Sequence, residues 1–178
     1  MSGCEAEILR QVVDGVGIMT LNRPDKFNCI STALMDGMGA AIEAFEADKA
    51  VRVILLNAVG KTFCTGADLD EVTVARKSRD TLATFIGHIH KVFRRLETSP
   101  LPVVVSVNGL ALAGGIEMMM SCDVAFAAES AQIGDQHAQY GLVPGGGGTQ
   151  RLPRLVGLRR ALDLQYTNRW LTAAEAER

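Results

Sequence analysis

The chain has 178 residues, which is enough for one domain with a substantial buried core. Hydrophobic residues make up 48% and charged residues 21%, a balance that excludes a disordered chain and indicates a globular protein. The net charge of −2 provides no basic surface for nucleic acid, and no apolar run is long enough to span a bilayer, so neither nucleic acid nor a membrane is expected as a partner.

The first part of the chain predicts a hairpin, a helix and a buried strand. Asp14–Gly15 separates two apolar runs, which is the strongest short hairpin signal. Residues 23–28, RPDKFN, are expected to form a polar loop. Ser31 can cap a helix that places apolar residues on one face: Leu34, Met38, Ile42 and Phe45. Residues 51–60, VRVILLNAVG, predict a buried strand that ends in a turn.

The second part continues the alternation of strands and helices. Residues 82–96 have helical spacing, and residues 103–107 are apolar on both faces, as in a central strand. A shorter strand is expected within 122–130. A glycine loop at 143–148 leads into a helical turn, followed by a helix at 159–167. The pattern indicates an α/β protein with a single domain over residues 1–178.

The end of the chain predicts one more helix. Thr172 and Glu175 have the spacing of a capping box, which marks a helix start. Because the chain stops at Arg178, soon after that start, we expect the natural protein to continue beyond it.

The stretch LALAGGIEMMM, residues 110–120, places two glycines and one carboxylate in an apolar run. A helix that begins at Gly114 or Gly115 would present backbone N–H groups with no partner inside the helix, and these favour negative charge. Glu117 would lie one turn into that helix, as a candidate general acid or base. Two interpretations remain open from this stretch: an oxyanion-binding turn with an adjacent acid, or close packing of glycines with Glu117 as a helix cap.

A second stretch, residues 60–72 (GKTFCTGADLDEV), has a similar design. Gly66 follows a short apolar run and precedes a potential helix. An oxyanion hole needs two converging donors, and two turns of this kind could supply one each. The pair of stretches therefore favours the oxyanion interpretation.

Four motifs in order give the sequence a specific resemblance: LNRPDKFN, GKTFCTGADL, VNGLALAGGIEMMMSCDVAFAAESAQIG and GLVPGGGGTQRLPRLVG. Together they resemble the crotonase superfamily, the enoyl-CoA hydratase/isomerase group, over nearly the whole chain. The resemblance implies a spiral of ββα units with two roughly perpendicular sheets. It also implies acyl-CoA thioesters as substrates, with coenzyme A as part of the substrate and no separate cofactor or metal.

The same resemblance implies the reacting groups. The backbone N–H groups of Ala67 and Gly114 would hold the thioester oxygen, where negative charge develops in the enolate. Hydratases of the family hold water between two glutamates; the first maps onto Glu117, and the second position is occupied here by His137. A neutral imidazole can accept or donate a proton near pH 7, so this pair could still handle water. His137 as a packed or solvent-facing residue is the alternative.

A coenzyme A site is implied around the two early motifs. Arg23 and Lys26 are placed to meet phosphates, and Phe27 and the segment Ala67, Asp68 and Leu69 match backbone contacts to adenine and pantetheine. An ordinary solvated loop is the alternative for the two basic residues. Asp68 could instead cap the following helix.

The first expectation for function is hydration of a 2-enoyl-CoA. Isomerisation, decarboxylation or thioester hydrolysis would use the same oxyanion hole, and a catalytically silent acyl-CoA binder is a further alternative. RNA binding, known for some relatives, is not expected because the helix at 31–50 carries four acids and one lysine.

Compartment and assembly complete the expectations. The N-terminus has no apolar signal core, and Cys4, Cys29, Cys64 and Cys122 lack metal-ligand spacing, so a cytoplasmic protein with reduced thiols and no metal is expected. The resemblance implies a homotrimer, or a hexamer built as a dimer of trimers. It also implies that the C-terminal helices used for that assembly are largely absent from this chain.

Overall fold

The computed structural model describes residues 6–178. Cys4, one of the predicted thiols, lies outside the described residues. The first two strands, β1 (Ile8–Val13) and β2 (Val16–Leu21), form the predicted antiparallel hairpin. The predicted polar loop follows and includes a 3-10 helix at Pro24–Lys26.

The strands form two sheets. The larger sheet has the order β1-β2-β3-β5-β7, with β3 at Val53–Ala58, β5 at Val103–Val107 and β7 at Val124–Ala127. The smaller has the order β4-β6-β8-β9, with β4 at Thr62–Cys64, β6 at Leu110–Leu112, β8 at Gln132–Gly134 and β9 at Leu171–Thr172. All neighbouring strands are parallel except β1 with β2 and β8 with β9.

The chain visits the two sheets in a repeating order. Each of the pairs β3-β4, β5-β6 and β7-β8 gives its first strand to the larger sheet and its second to the smaller. Helices then return the chain for the next pair. This arrangement confirms the predicted α/β class and the spiral of ββα units.

Seven helices follow these strands in the described part of the chain. They are α1 (Thr32–Ala47), α2 (Leu69–Ala75), α3 (Arg79–Thr98), α4 (Gly114–Met119), α5 (Gly148–Val156), α6 (Leu158–Thr167) and α7 (Ala173–Glu177). The predicted caps are confirmed: the Ser31 hydroxyl accepts a hydrogen bond from Leu34 N at 3.0 Å, and Thr172 forms the capping box with Glu175.

A short strand that the sequence did not predict precedes α4: residues 110–112 form β6. A strand of three residues in an apolar run has too little periodicity to be distinguished from a turn. The consequence is that Gly114 lies two residues after the end of a strand of the smaller sheet, as Gly66 does.

One continuous core joins both sheets to the helices. Phe45 of α1, Phe63 of β4 and Phe93 of α3 are almost fully buried in it. The core thereby fixes the ends of β4 and β6, from which the two glycine turns emerge. Among the helices of residues 6–178, none combines the length and apolarity that a membrane span requires.

Candidate active site

The two glycine turns meet backbone to backbone. Strands β4 and β6 are parallel neighbours, so their carboxyl ends lie at the same edge of the smaller sheet. A Cβ atom on Gly66 would lie 3.2 Å from Gly114 N, and one on Gly114 would lie 3.6 Å from Ala67 N. Gly66 also has φ of 102°, a conformation that favours glycine. Any side chain at either glycine would separate the two turns.

Two amides at this contact have no hydrogen-bond acceptor within residues 6–178. Asp68 N–H donates to Ile30 O at 2.8 Å, and Ile30 N–H donates to Gly66 O at 2.8 Å. Between them, Ala67 N–H has no acceptor in the described residues, and neither has Gly114 N–H at the start of α4. The two N–H groups that the resemblance assigned to an oxyanion hole are thus close together and available.

Ala113 sets the direction of the second amide. Its φ of 49° and ψ of −117° are unusual for a residue with a side chain, and such backbone costs of order 1–3 kcal/mol. This ψ angle fixes the plane of the peptide that joins Ala113 to Gly114. Strain concentrated at this peptide is typical of a functional turn.

Glu117 lies behind this turn and is buried, with 2% of its surface exposed. Its Oε1 accepts a hydrogen bond from Gly148 N at 2.7 Å, at the start of α5. The carboxylate therefore caps a neighbouring helix and not its own, contrary to the capping alternative. The glycine loop at 145–148 encloses it, because a Cβ on Gly146 would lie 2.7 Å from Glu117 Oε2.

His137 contacts the same carboxylate. Its Nε2 lies 3.5 Å from Glu117 Oε2, and its Nδ1 lies 2.9 Å from Asp135 Oδ1. Its side chain is 10% exposed, so the alternative of a solvent-facing histidine does not hold. Asp135 was not predicted from the sequence, although an acid two residues before a histidine is the signal that could have indicated it.

The charge of His137 differs from the expectation. Burial alone would lower the pKa of its imidazole, but hydrogen bonds and charge from Asp135 and Glu117 outweigh burial and raise the pKa to about 9. The expected neutral imidazole is therefore corrected: near pH 7 the ring is an imidazolium held between two buried carboxylates.

A cavity of about 610 Å³ opens beside these groups. Its walls bring together six of the predicted site residues: Lys26, Phe27, Ala67, Asp68, Leu69 and His137. Gly114 and Glu117 are not among the lining residues: Ala113, the residue before Gly114, reaches the wall, and Glu117 lies behind the His137 ring. Phe27 is 62% exposed at the cavity mouth, where its ring is free to contact a ligand.

A second cavity of about 610 Å³ lies between α2 and α3. Val74, Ala75 and Phe85 give it an apolar character, and Asp70 borders both cavities. Ala67, Gly114 and His137 are all absent from its wall. The chemistry is therefore assigned to the first cavity.

Arg23 does not line the cavity. Its guanidinium pairs with Glu7 at 3.0 Å and with Asp68 at 3.1 Å, and it also donates to Cys29 O at 2.8 Å. These contacts occupy the guanidinium N–H groups that the sequence analysis assigned to phosphates. Arg23 instead joins three segments of the protein to one another. Asp68 also caps α2 by accepting a hydrogen bond from Asp70 N at 3.0 Å, as the alternative interpretation held.

Arg23 and Lys26 were both predicted to contact phosphates, and Lys26 is the one with an exposed side chain. Its Nζ lies 3.9 Å from Asp70 Oδ2, and 62% of the side chain is exposed. A surface pair at this distance contributes little energy, so the ammonium group can exchange Asp70 for a phosphate.

Comparison with known proteins gives consistent similarities. Residues 11–178 match the profile of the enoyl-CoA hydratase/isomerase family. The chain is 39% identical over 164 residues to the short-chain-enoyl-CoA hydratase of Clostridium acetobutylicum, and 37% identical over 164 residues to the human mitochondrial methylglutaconyl-CoA hydratase. Each alignment includes 92% of this chain.

Solved structures are similar as well. The enoyl-CoA hydratase of Bacillus anthracis superposes with a TM-score of 0.91 at 35% identity, covering 96% of this chain and 66% of that chain. The enoyl-CoA hydratase of Thermoplasma volcanium superposes with a TM-score of 0.92 at 26% identity, covering 99% and 70%. The chain spans 62% of the length of the Clostridium relative and 48% of the human one.

Proposed function

Because the chain belongs to the enoyl-CoA hydratase/isomerase family, we propose that it binds an acyl-CoA thioester and adds water across the double bond of a 2-enoyl group. One observation carries this proposal: the amides of Ala67 and Gly114, which have no acceptor in the described residues, lie close together, and Ala67 lines the same cavity as His137, which pairs with the buried Glu117. The amides suit a developing oxyanion, and the ion pair suits proton transfer.

The amides would act on the thioester oxygen. Attack at the β-carbon moves electrons through the double bond and places negative charge on that oxygen. Two N–H donors stabilise the charge more in the transition state than in the substrate, which lowers the barrier. The start of α4 adds the positive end of a short helix at Gly114.

The ion pair would move the protons. The His137 imidazolium gives its Nε2 proton to the α-carbon as water forms a bond to the β-carbon, and the proton that the added water loses returns to Nε2. The Glu117 carboxylate lies behind the ring, 3.5 Å from Nε2, and stabilises the charged form of His137 at the start and the end of the cycle. Both groups return to their starting charge, so the cycle needs no metal or further cofactor.

The coenzyme A part would bind at the cavity mouth. The exposed ammonium of Lys26 suits a phosphate, and the exposed ring of Phe27 suits the adenine. Ala67, Asp68 and Leu69 line the same cavity as Lys26 and Phe27. Arg23 is excluded from direct phosphate contact because its guanidinium is engaged within the protein.

Double-bond isomerisation is the second candidate. The observation in its favour is that His137 lines the cavity while Glu117 lies behind it. A single group at the wall suits a reaction that moves one proton between two carbons of the acyl chain. Incorporation of oxygen from ¹⁸O-labelled water into the product distinguishes the two, since only hydration incorporates it.

The test is hydration of crotonyl-CoA, followed as loss of the absorbance of the conjugated thioester. Glu117→Gln keeps the size of the side chain and removes its basicity, so kcat is expected to fall by at least about a hundredfold. Glu129→Gln makes the same change at an exposed residue and should leave kcat unchanged. A Glu117→Gln variant as active as the wild type would contradict the role given to this carboxylate.

We propose the state of assembly on the family resemblance. We expect a homotrimer or a dimer of trimers, which light scattering of the purified protein would measure. We also expect a cytoplasmic protein.

A further inference from the structure

We propose that Asp135 is a positioning residue that holds the His137 ring with Nδ1 towards Asp135 and Nε2 towards Glu117 and the cavity. This inference deepens the proposed function and rests on it for the role of the proton at Nε2. Asp135 itself does not line the cavity, so it acts through His137 and not on the substrate.

The geometry fixes both the backbone and the ring of His137. Asp135 follows the last residue of β8, and its Oδ1 lies 2.9 Å from His137 Nδ1 and 3.2 Å from His137 N. Asp135 is 1% exposed, so water does not compete for these contacts. One oxygen therefore sets the orientation of the ring relative to the main chain that carries it.

The electrostatics point the same way. Asp135 Oδ2 is buried without a hydrogen-bond partner in the described residues, so the imidazolium is the charge that compensates this carboxylate. Glu117 of α4 provides the second negative charge against the ring. Other titratable groups line the same cavity on its remaining walls: Asp25, Lys26, Cys29, Asp68, Asp70 and Tyr140.

The consequence concerns which nitrogen exchanges its proton. A carboxylate at Nδ1 keeps that nitrogen protonated whether the ring is charged or neutral. Nε2 is then the atom that gains and loses a proton, and it is the atom that faces Glu117. Without Asp135 the neutral ring is free to adopt the other tautomer, with its proton on Nε2, and Nε2 then has no lone pair with which to accept a proton.

A purely local role for Asp135 is the competing explanation. Asp135 accepts from the backbone two residues ahead, as aspartates do in ordinary turns. Asp135→Asn separates the two roles, because asparagine supports the same turn and removes the negative charge. Asp80→Asn makes the same change at an exposed residue of α3 and serves as the matched control.

The first measurement is an NMR titration of the imidazole ¹⁵N signals of the 178-residue protein without substrate. The chain has three histidines, and His137→Gln identifies the signal of His137. In Asp135→Asn the pKa of His137 is expected to fall by at least about one unit and the Nδ1-protonated tautomer to lose its dominance, since a neutral partner no longer favours the charged ring. An unchanged pKa and tautomer would overturn the proposal, whatever the enzyme activity proves to be.

The second measurement is kinetic. Asp135→Asn is expected to lower kcat for crotonyl-CoA by about tenfold or more with little change in KM, and to have almost no further effect in the His137→Gln background. An equal loss in both backgrounds would mean that Asp135 acts independently of His137 and would overturn the proposal. If the wild type does not hydrate crotonyl-CoA, the proposed function fails while the titration still decides the position of the ring.

Discussion

At the scale of single residues, the glycine loop before α5 explains how a carboxylate can be buried beside an active-site cavity. Glu117 Oε1 accepts the first amide of α5 from Gly148, and Gly146 packs against Oε2. The N-terminus of a helix favours a negative charge, and the absence of side chains lets the backbone approach it. Gly146 and Gly148 thus accommodate the acid, whereas Gly145 and Gly147 face Ile86 and Arg151.

Gly146→Ala tests this fit. The added Cβ would lie 2.7 Å from Glu117 Oε2 and 2.9 Å from a Phe93 ring carbon, so either the carboxylate or the loop must move. We expect kcat for crotonyl-CoA to fall at least about tenfold and the free energy of unfolding to fall by about 1–3 kcal/mol. Steady-state kinetics and urea denaturation measure the two effects. Wild-type activity in this variant would show that the carboxylate does not depend on the loop.

The sequence predicted which residues form the site better than it predicted their charge and their contacts. Glu117, His137, Ala67 and Gly114 were all identified from motifs; in the structure Glu117 contacts His137, Gly114 lies against Ala67, and Ala67 and His137 line one cavity. The charge of His137 could not be predicted, because it depends on Asp135 and Glu117 converging on one ring from different elements. Arg23 was assigned to phosphate for the same reason: its partners Glu7 and Asp68 are distant in sequence.

At the scale of helices and strands, the number of residues in an element decided whether the sequence could predict it. The helices α1 and α3 and the strands β3 and β5 have enough periodicity or apolar run to be identified. The three-residue strands β6 and β8 do not, because they are defined by pairing with neighbours in the smaller sheet. These short strands nevertheless position the site, since α4 and Asp135 follow directly after them.

Glycines within α1 and α3 allow a prediction of how alanine substitutions in these helices change the stability of the protein. Gly87 of α3 has open space around a potential Cβ, whereas a Cβ on Gly37 of α1 would lie 2.9 Å from Ile8 Cγ1. Gly87→Ala should stabilise the protein by about 0.5–1 kcal/mol because alanine loses less backbone entropy in a helix. Gly37→Ala should gain less, or destabilise, because α1 must move away from β1. Urea denaturation measures both, and equal gains would contradict the packing of α1 on Ile8.

At the scale of the whole molecule, two charged clusters hold the cavity between distant segments. Arg23 joins the segment before β1 to the start of α2 through Glu7 and Asp68. His137 joins the segment after β8 to α4 through Asp135 and Glu117. The stability of the fold and the charge of the site are therefore coupled, and pH should affect both.

The expected pH dependence follows from the raised pKa of His137. The pKa rises from an ordinary value of 6.5 to about 9 in the folded protein, so its stabilising contribution is complete below pH 6.5 and is lost as pH rises through 9. Each pKa unit corresponds to about 1.4 kcal/mol, so the loss is at most about 3 kcal/mol. Urea denaturation across this range measures it. His137→Gln should remove the part of the pH slope due to this group, and an unchanged slope would contradict the assignment.

The convergence of the two amides on one oxygen is the claim on which the proposed chemistry rests. A crystal structure of the Glu117→Gln variant with bound crotonyl-CoA tests it most directly. We expect the thioester oxygen within about 3.2 Å of both Ala67 N and Gly114 N, as hydrogen bonding requires. The β-carbon should face His137. A thioester oxygen bonded to neither nitrogen, with the acyl group elsewhere in the protein, would contradict the account.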